Sequence, residues 1–402
     1  MASMRKAPVS LLLGSGTSIP AQLPSVEALT QRVLSGEGVW KNSDDNYYLH
    51  ADEQPAELRR RHYVATVIDF LQQLRAQCDT YYQSASPARR MNYEDLFYLA
   101  KQISDSESGE VDNPAVGPLV ETLRSKFEDT GNTNEDAFDN GWTLFRLSRE
   151  AEKYVLCVVW QLLVRDPGNL NHLDCVIDLI KSTEAREVHS FTLNHDTVLE
   201  RALSAASIQF NDGFGESIEG VRYWEPTYFE RPSLRVDLLK VHGSINWFSF
   251  PPNEMAPGIE SIGIPESWDF WHTSSPTGQL QWPREGTPEI LLGTFNKMLA
   301  YTSRVYADIY FHFRRFLSGS TRLVISGYGF GDKAINTQII EWLHLSPDRQ
   351  ILLIDPTPGE IPDRARYAIS KNLGAWIAQR RLVIIRSGIE DVTGRQLREF
   401  SY

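Results

Sequence analysis

Five short clusters carry residue types that could hold a ligand bearing phosphate or sugar, and each lies at the end of an apolar run. Gly14-Ser15-Gly16-Thr17-Ser18 comes first. Glycines let backbone approach a pyrophosphate, and bare amides at a helix start attract anions. The dinucleotide fingerprint GxGxxG is not met, because Ile19 stands where its third glycine would be. A tight strand-to-helix turn uses the same residues. The second cluster is Thr192-Leu193-Asn194-His195-Asp196. Asn194 offers a donor and an acceptor that can orient a sugar hydroxyl or a water. Asp196 fits a helix N-cap equally well, and His195 fits an exposed position. The third runs from Lys240 to Trp247 and contains His242-Gly243. An imidazole with an ordinary pKa of about 6.5 suits general-base work, although a structural histidine reads the same way. The fourth, Ser326-Gly327-Tyr328-Gly329-Phe330-Gly331-Asp332, has three glycines in five residues. It implies close backbone approach or positive φ, with Asp332 and Asn336 opening a helix. The fifth is Asp355, able to accept bonds from ribose hydroxyls or to make a turn before Pro356.

The elements that must position these clusters read as buried strands. Val9–Leu13, Val188–Leu193, Leu238–His242, Leu323–Ser326, Ile351–Ile354 and Leu382–Ile385 are nearly continuous apolar runs. That pattern belongs to strands covered on both faces of a parallel sheet. Helical patterns intervene, for example Ser25–Leu34 and Asp196–Ala206. The expectation is an α/β fold, a Rossmann-like, doubly wound, mainly parallel sheet. Carboxyl ends of such strands are where ligands bind, and all five clusters fall there.

Between about 50 and 185 the periodicity is helical: Ala56–Leu74, Asn92–Ile103, Val116–Phe127, Gly141–Val164 and Leu173–Ile180. The expected organisation is a core of 1–49 and 186–402 with a helical insertion over 50–185. Ser104–Asn113 and Glu128–Asp139 are polar and acidic and read as exposed loops. Pro251–Pro288 holds seven prolines without a clear period and reads as a long structured loop or flap.

The 402 residues hold 40 Lys plus Arg against 52 Asp plus Glu, a net charge of −12. That balance argues against binding nucleic acid through the overall field. Arg59-Arg60-Arg61, Arg89-Arg90 and Arg314-Arg315 are the candidates for a local basic groove, or are solvated helix faces. The three cysteines, Cys78, Cys157 and Cys175, form no CxxC pair and cannot supply a four-cysteine zinc site. No metal site is expected. Sparse cysteine and an N-terminal apolar run too short for a leader or a membrane span suggest a cytoplasmic protein.

In their order, the clusters resemble the motifs of the sirtuin superfamily. Gly14–Ser18 is similar to its GAG-x-S turn, Thr192–Asp196 to its T-x-N-x-D, and His242-Gly243 and Gly327–Asp332 to its histidine motif and second glycine loop. Lys240–Trp247, Gly327–Asn336 and Asn92-Tyr93-Glu94-Asp95-Leu96 look closer to bacterial sirtuin-like effectors of anti-phage defence. The resemblance covers 9–34 and 188–360. It implies NAD+ as the substrate. Gly14, Ser15, Gly16, Thr17 and Ser18 would contact its phosphate or ribose. Gly327, Tyr328, Phe330 and Asp355 would line the adenosine side. Asn194 and Asp196 would sit by the nicotinamide ribose, and His242 would be the general base. Sirtuin deacylases carry a zinc ribbon after the His-Gly motif, whereas Trp247–Glu289 has no cysteine. No zinc is therefore expected. The defence branch hydrolyses NAD+, which implies an NAD+ glycohydrolase that kills or halts the infected cell and is held inactive at rest. It also implies a homo-oligomer and a separate regulator such as a HerA-like ATPase. A protein deacylase and a non-catalytic nucleotide sensor are the alternatives.

Overall fold

The computed structural model describes residues 8–42, 44–49, 58–84, 90–110, 113–127, 142–182, 187–230, 235–251, 260–267, 273–275, 278–294 and 296–401. They fall into two compact units. One comprises Met1–Leu23, Arg165–Leu291 and Lys297–Tyr402, the other Pro24–Val164 and Leu292–Asn296.

The first unit is built on a six-stranded sheet in the order Leu382–Ile385, Gln350–Ile354, Arg322–Ser326, Val9–Leu13, Val188–Thr192, Val236–Lys240. Every pairing is parallel. Numbered in chain order across the sheet, these strands run 3-2-1-4-5-6, so the winding reverses between Val9–Leu13 and Arg322–Ser326. The expected parallel sheet is present, and its strands lie within two residues of the predicted bounds.

Alternation within each strand builds two cores. Leu12, Phe191, Leu239, Leu323, Ile325, Ile351 and Leu353 face one way. The helices Arg304–Gly319 and Lys333–His344 cover them through residues such as Ile309, Phe313, Ile339 and Trp342. Leu11, Leu13, Val188, Leu238, Val324 and Leu352 face the other way, against Asp174–Lys181, Val198–Ala205 and Gly394–Ser401. Helices thus lie on both faces, as double winding requires.

A four-stranded antiparallel sheet, in the order Phe214–Ile218, Val221–Trp224, Ser261–Pro265, Phe248–Phe250, was not foreseen. It takes in part of Pro251–Pro288, which is therefore not only loop. Thr273–Ser274 and Leu280–Gln281 also pair there as a short hairpin. Residues 252–259, 268–272 and 276–277 lie outside the described residues.

The second unit is mainly helical: Val26–Ser35, Leu58–Ser84, Tyr93–Glu107, Gly117–Phe127 and Leu144–Leu163. Asn92 and Asp95 close a reciprocal capping box at the start of Tyr93–Glu107, which packs on Leu144–Leu163. That helix runs into the stretch expected as an exposed loop from Ser104. The reason is that Ser104 is buried and donates to Glu152 Oε1 at 2.7 Å. The acidic stretch Glu128–Asp139, residue Arg89 and the side chains of Arg59–Arg61 lie outside the described residues. Among the described residues no helix is long and apolar enough to cross a membrane.

Phe191 is fully buried three residues before Asn194 and meets the Phe313 ring edge-on at 4.8 Å. Phe191→Ala should cost about 3–5 kcal/mol, read as a lower urea midpoint for loss of the sheet. A cost below about 1 kcal/mol would show that this strand is not the core it is described as.

Candidate functional site

The strands of the parallel sheet end level. Leu13 pairs in register with both Thr192 and Ser326, Thr192 with Lys240, and Ser326 with Ile354. The next residues, Gly14, Leu193, Val241, Gly327 and Asp355, therefore leave the sheet in one row. All five clusters begin in that row, and its centre is the reversal of winding.

At this centre two glycine turns cross. Gly14 N donates to Ser326 O at 2.9 Å and Gly16 N to Gly327 O at 3.0 Å. A Cβ on Gly14 would sit 2.5 Å from Gly327 O, and one on Gly16 2.7 Å from Gly327 Cα. Gly327 itself has φ +65°. Only residues without a side chain allow this approach. The turn is a short 3-10 segment, Ser15–Ser18, and the helix expected over Ser25–Leu34 runs from Val26 to Ser35 with Ser25 as its N-cap. The amides of Gly14, Gly16 and Thr17 are already committed, the last to Gly14 O at 2.9 Å. Ser15 is exposed while Thr17 and Ser18 are buried.

Asn194 ties the second strand to this turn. Its Nδ2 donates to Gly14 O at 3.1 Å and lies 3.3 Å from Thr17 Oγ1 and 2.9 Å from Ser18 Oγ. The carbonyl of Gly14 can only accept, which fixes the orientation of the amide. Asn194 Oδ1 is left buried without a protein partner. Ser18 Oγ donates to Asp196 Oδ2 at 2.7 Å, and Asp196 Oδ1 accepts Val198 N at 3.0 Å. Asp196 is thus both a cap and a brace. Lys240 Nζ donates to Asp196 O and pairs with Glu200 Oε1 at 2.9 Å. Burial raises the Glu200 pKa, with the Lys240 charge opposing.

His242 is buried with acceptors at both ring nitrogens. Nδ1 lies 3.1 Å from Leu193 O, and Nε2 lies 3.1 Å from Asp332 Oδ2. Tyr301 OH donates to the same Oδ2 at 3.2 Å, while Oδ1 accepts Ala334 N at 2.8 Å and Ile335 N at 3.0 Å. Burial alone would raise the Asp332 pKa. The hydrogen bond and charge of His242, then Lys297 and the Ile335 amide, overcome that and hold it well below the usual carboxylate range. His195, its ring centre 6.1 Å from that of His242, is buried rather than exposed. Burial pushes its pKa well below the ordinary value, and the charges of Lys297, His242 and Lys240 add to this. Its Nδ1 has no protein partner.

The structure thus gathers Gly14, Gly16, Thr17, Ser18, Asn194, Asp196 and Gly327 into one bonded network, with His242 hydrogen-bonded to the carbonyl beside Asn194. Tyr328 and Phe330 follow Gly327 and are buried. Tyr328 OH donates to Asn336 Oδ1 at 2.9 Å, and Asn336 Nδ2 to Phe330 O at 2.8 Å. Asp355 is held separately. Its Oδ1 accepts Thr357 N at 2.9 Å, and Oδ2 is paired with the Arg364 guanidinium. Sequence reasoning assigned no site role to Asp332, Tyr301, Lys297 or Lys240. A cavity of about 10 Å³ lies beside Thr17, Ser18, Asn194 and Asp196. It has room for about one water, not a ribose. Among the described residues no three His, Cys, Asp or Glu side chains are placed to hold a metal ion.

Residues 188–376 match the family model of a SIR2-like domain. Among solved structures the chain is similar to a mutant Sir2 homologue in complex with ADP-ribose, at 11% identity over 98% of this chain and 91% of that one, with a TM-score of 0.38. A Sir2 homologue–NAD complex gives 10% identity, 98% and 89% coverage and a TM-score of 0.38. Sir2Tm bound to a propionylated peptide gives 10% identity, 97% and 92% coverage and 0.36. No curated protein matches the chain.

The glycine crossing makes a sharp prediction. Gly327→Ala should lower stability by more than about 1 kcal/mol, because it adds both strain at positive φ and a clash with Thr17. Gly329→Ala, two residues on and with open space around its Cβ position, should change the melting temperature little. Equal melting temperatures for the two variants would contradict the crossing.

Proposed function

We propose that this chain hydrolyses the nicotinamide N-glycosidic bond of NAD+, releasing nicotinamide and ADP-ribose. The observation that carries the reading is the level row of strand ends. It brings an asparagine with an unpaired buried acceptor and a histidine next to a glycine crossing at the reversal of the sheet. The SIR2-like match over 188–376 supports the same substrate. A Sir2 homologue has been solved as an NAD complex.

In this reading the leaving nicotinamide is already cationic, so departure needs no strong acid. The developing oxocarbenium character needs positioning and stabilisation instead. Asn194 Oδ1 orients the attacking water or a ribose hydroxyl. His242 accepts a proton from that group. Asp196 keeps Ser18, and through it Asn194, in place. Gly14–Ser18 and Gly327–Phe330 bound the phosphates and the adenosine side. Asp355 must give up its pairing with Arg364 before it can accept a ribose hydroxyl.

The biological setting we infer is an anti-phage effector that depletes NAD+, silent at rest, homo-oligomeric and controlled by a separate regulator such as a HerA-like ATPase. What supports it is the likeness of Lys240–Trp247 and Gly327–Asn336 to that branch. The absence of CxxC pairs from Trp247–Glu289 favours hydrolysis over deacylation through a zinc-ordered acyl-lysine cleft.

The test is incubation with NAD+, alone and with the product of the neighbouring gene, and quantification of nicotinamide and ADP-ribose. Asn194→Ala and His242→Ala should each reduce turnover by about 10²-fold or more, in protein shown by its melting curve to be still folded at the assay temperature. Full activity in both variants would remove the site assignment. Acetyl-lysine peptide turnover would favour the deacylase, and NAD+ binding without products the sensor.

A further inference from the structure

The surroundings of His242 fix where its protons are. Leu193 O can only accept, so Nδ1 must carry a proton to use the 3.1 Å contact. Asp332 Oδ2, also 3.1 Å from the ring, already receives Tyr301 OH, and Oδ1 already receives two backbone amides. Three donors besides the ring converge on this carboxylate, which stabilises its ionised form. An ionised carboxylate can only accept, so Nε2 must carry a proton too. The arrangement is a buried imidazolium–carboxylate pair. The titratable groups around it are His195 from the turn after Val188–Thr192, Tyr301 and Lys297 from the segment before Arg304–Gly319, and Lys240 from the edge strand.

We propose that Asp332 is a latch on the catalytic base. It occupies Nε2 of His242, the atom that must face water or a ribose hydroxyl, and keeps the ring protonated and unable to accept a proton. Resting inhibition is then built into the chain, and activation means moving one carboxylate. This rests on the NAD+ reading for what the base does, but not for where its protons sit. The latch rides at the end of the Gly327–Gly331 turn. Gly329 and Gly331 have no neighbours around their Cβ positions, and Phe330 between them holds φ +57°, a strained value for a residue with a side chain. Arg366 pins the turn from outside, its amide to Phe330 O at 3.3 Å and its guanidinium to Gly331 O at 2.5 Å. Asn336 holds Phe330 O from inside, so a change of position would hinge at the unpacked glycines on either side of the strained Phe330. The small cavity of about 10 Å³ beside Asn194 fits the resting position.

Two substitutions separate the latch from the cap that Asp332 also provides. Asp332→Asn keeps an acceptor for Ala334 N and Ile335 N and removes the charge. Asp332→Ser keeps the cap and clears Nε2. Ring ¹⁵N shifts of the full chain, labelled at histidine and assigned with His242→Gln, report protonation without catalysis. At pH 7.5 His242 should be doubly protonated in the parent and neutral, with a bare Nε2, in both variants. A neutral His242 in the parent overturns the proposal. In the NAD+ assay both variants should raise kcat at pH 7 by about tenfold for each unit by which the imidazole loses proton affinity. The acidic limb of the pH–rate profile should move to lower pH. A fall in kcat, restored by Asp332→Glu, would make Asp332 an orienting group and also overturn the latch. If the protonation pattern is as expected but neither parent nor variant cleaves NAD+, the latch stands and the hydrolase reading fails.

Discussion

The crossing of Gly14–Thr17 with Gly327 is the constraint on which the site depends. A sheet wound outward in both directions from its middle leaves a crevice where the winding reverses, because connections on either side lead away from it. Here that crevice lies between Val9–Leu13 and Arg322–Ser326. The turns leaving these two strands approach to backbone contact, with Gly16 N bonded to Gly327 O at 3.0 Å. Any side chain at this point would push the turns apart. Asn194, which bridges to Gly14 O, would then lose its anchor. The chemistry-bearing groups are arranged around a backbone contact, and their own bonds are secondary to it.

The second feature is how much charge is buried around that crossing. Asp332, His242, Lys240 and Lys297 all have little access to solvent. Taking an ion out of water costs several kcal/mol, recovered only through good partners. The structure supplies partners to Asp332, His242 and Lys240, but not to Asn194 Oδ1, Glu200 Oε2 or His195 Nδ1. Buried polar atoms without partners are uncommon in folded proteins. Asn194 and Glu200, each with one such oxygen, line a cavity that admits about one water, so the polar capacity of the site is incompletely used.

Much of the sheet was legible because burial on both faces writes continuous apolar runs. Val9–Leu13 and Leu382–Ile385 agree with their strands residue for residue. The antiparallel sheet was not legible, because Phe214–Ile218 is mostly exposed beyond its first residue and the paired strands are only three to five residues long. Too few positions repeat to show period two. Ser104 misled for the opposite reason. Its type says solvent, while a partner 48 residues away, Glu152, makes a buried position acceptable.

The candidate site was legible as far as its order along the chain reaches. Gly14, Asn194, Asp196 and His242 each announce themselves by following a strand, and the register then makes them neighbours. Asp332 does not, although it touches His242. Its place before Lys333–His344 is fully accounted for by the cap, and the cap uses only Oδ1. The other oxygen acts across 90 residues of sequence, on a ring that no local pattern connects to it. Asp355 is the converse. Its position at a strand end suggests a ligand contact, yet Arg364, nine residues later, already neutralises it. Local spacing reveals which carboxylates stand near a site. Whether they are free to act there depends on which donors the fold brings to each oxygen.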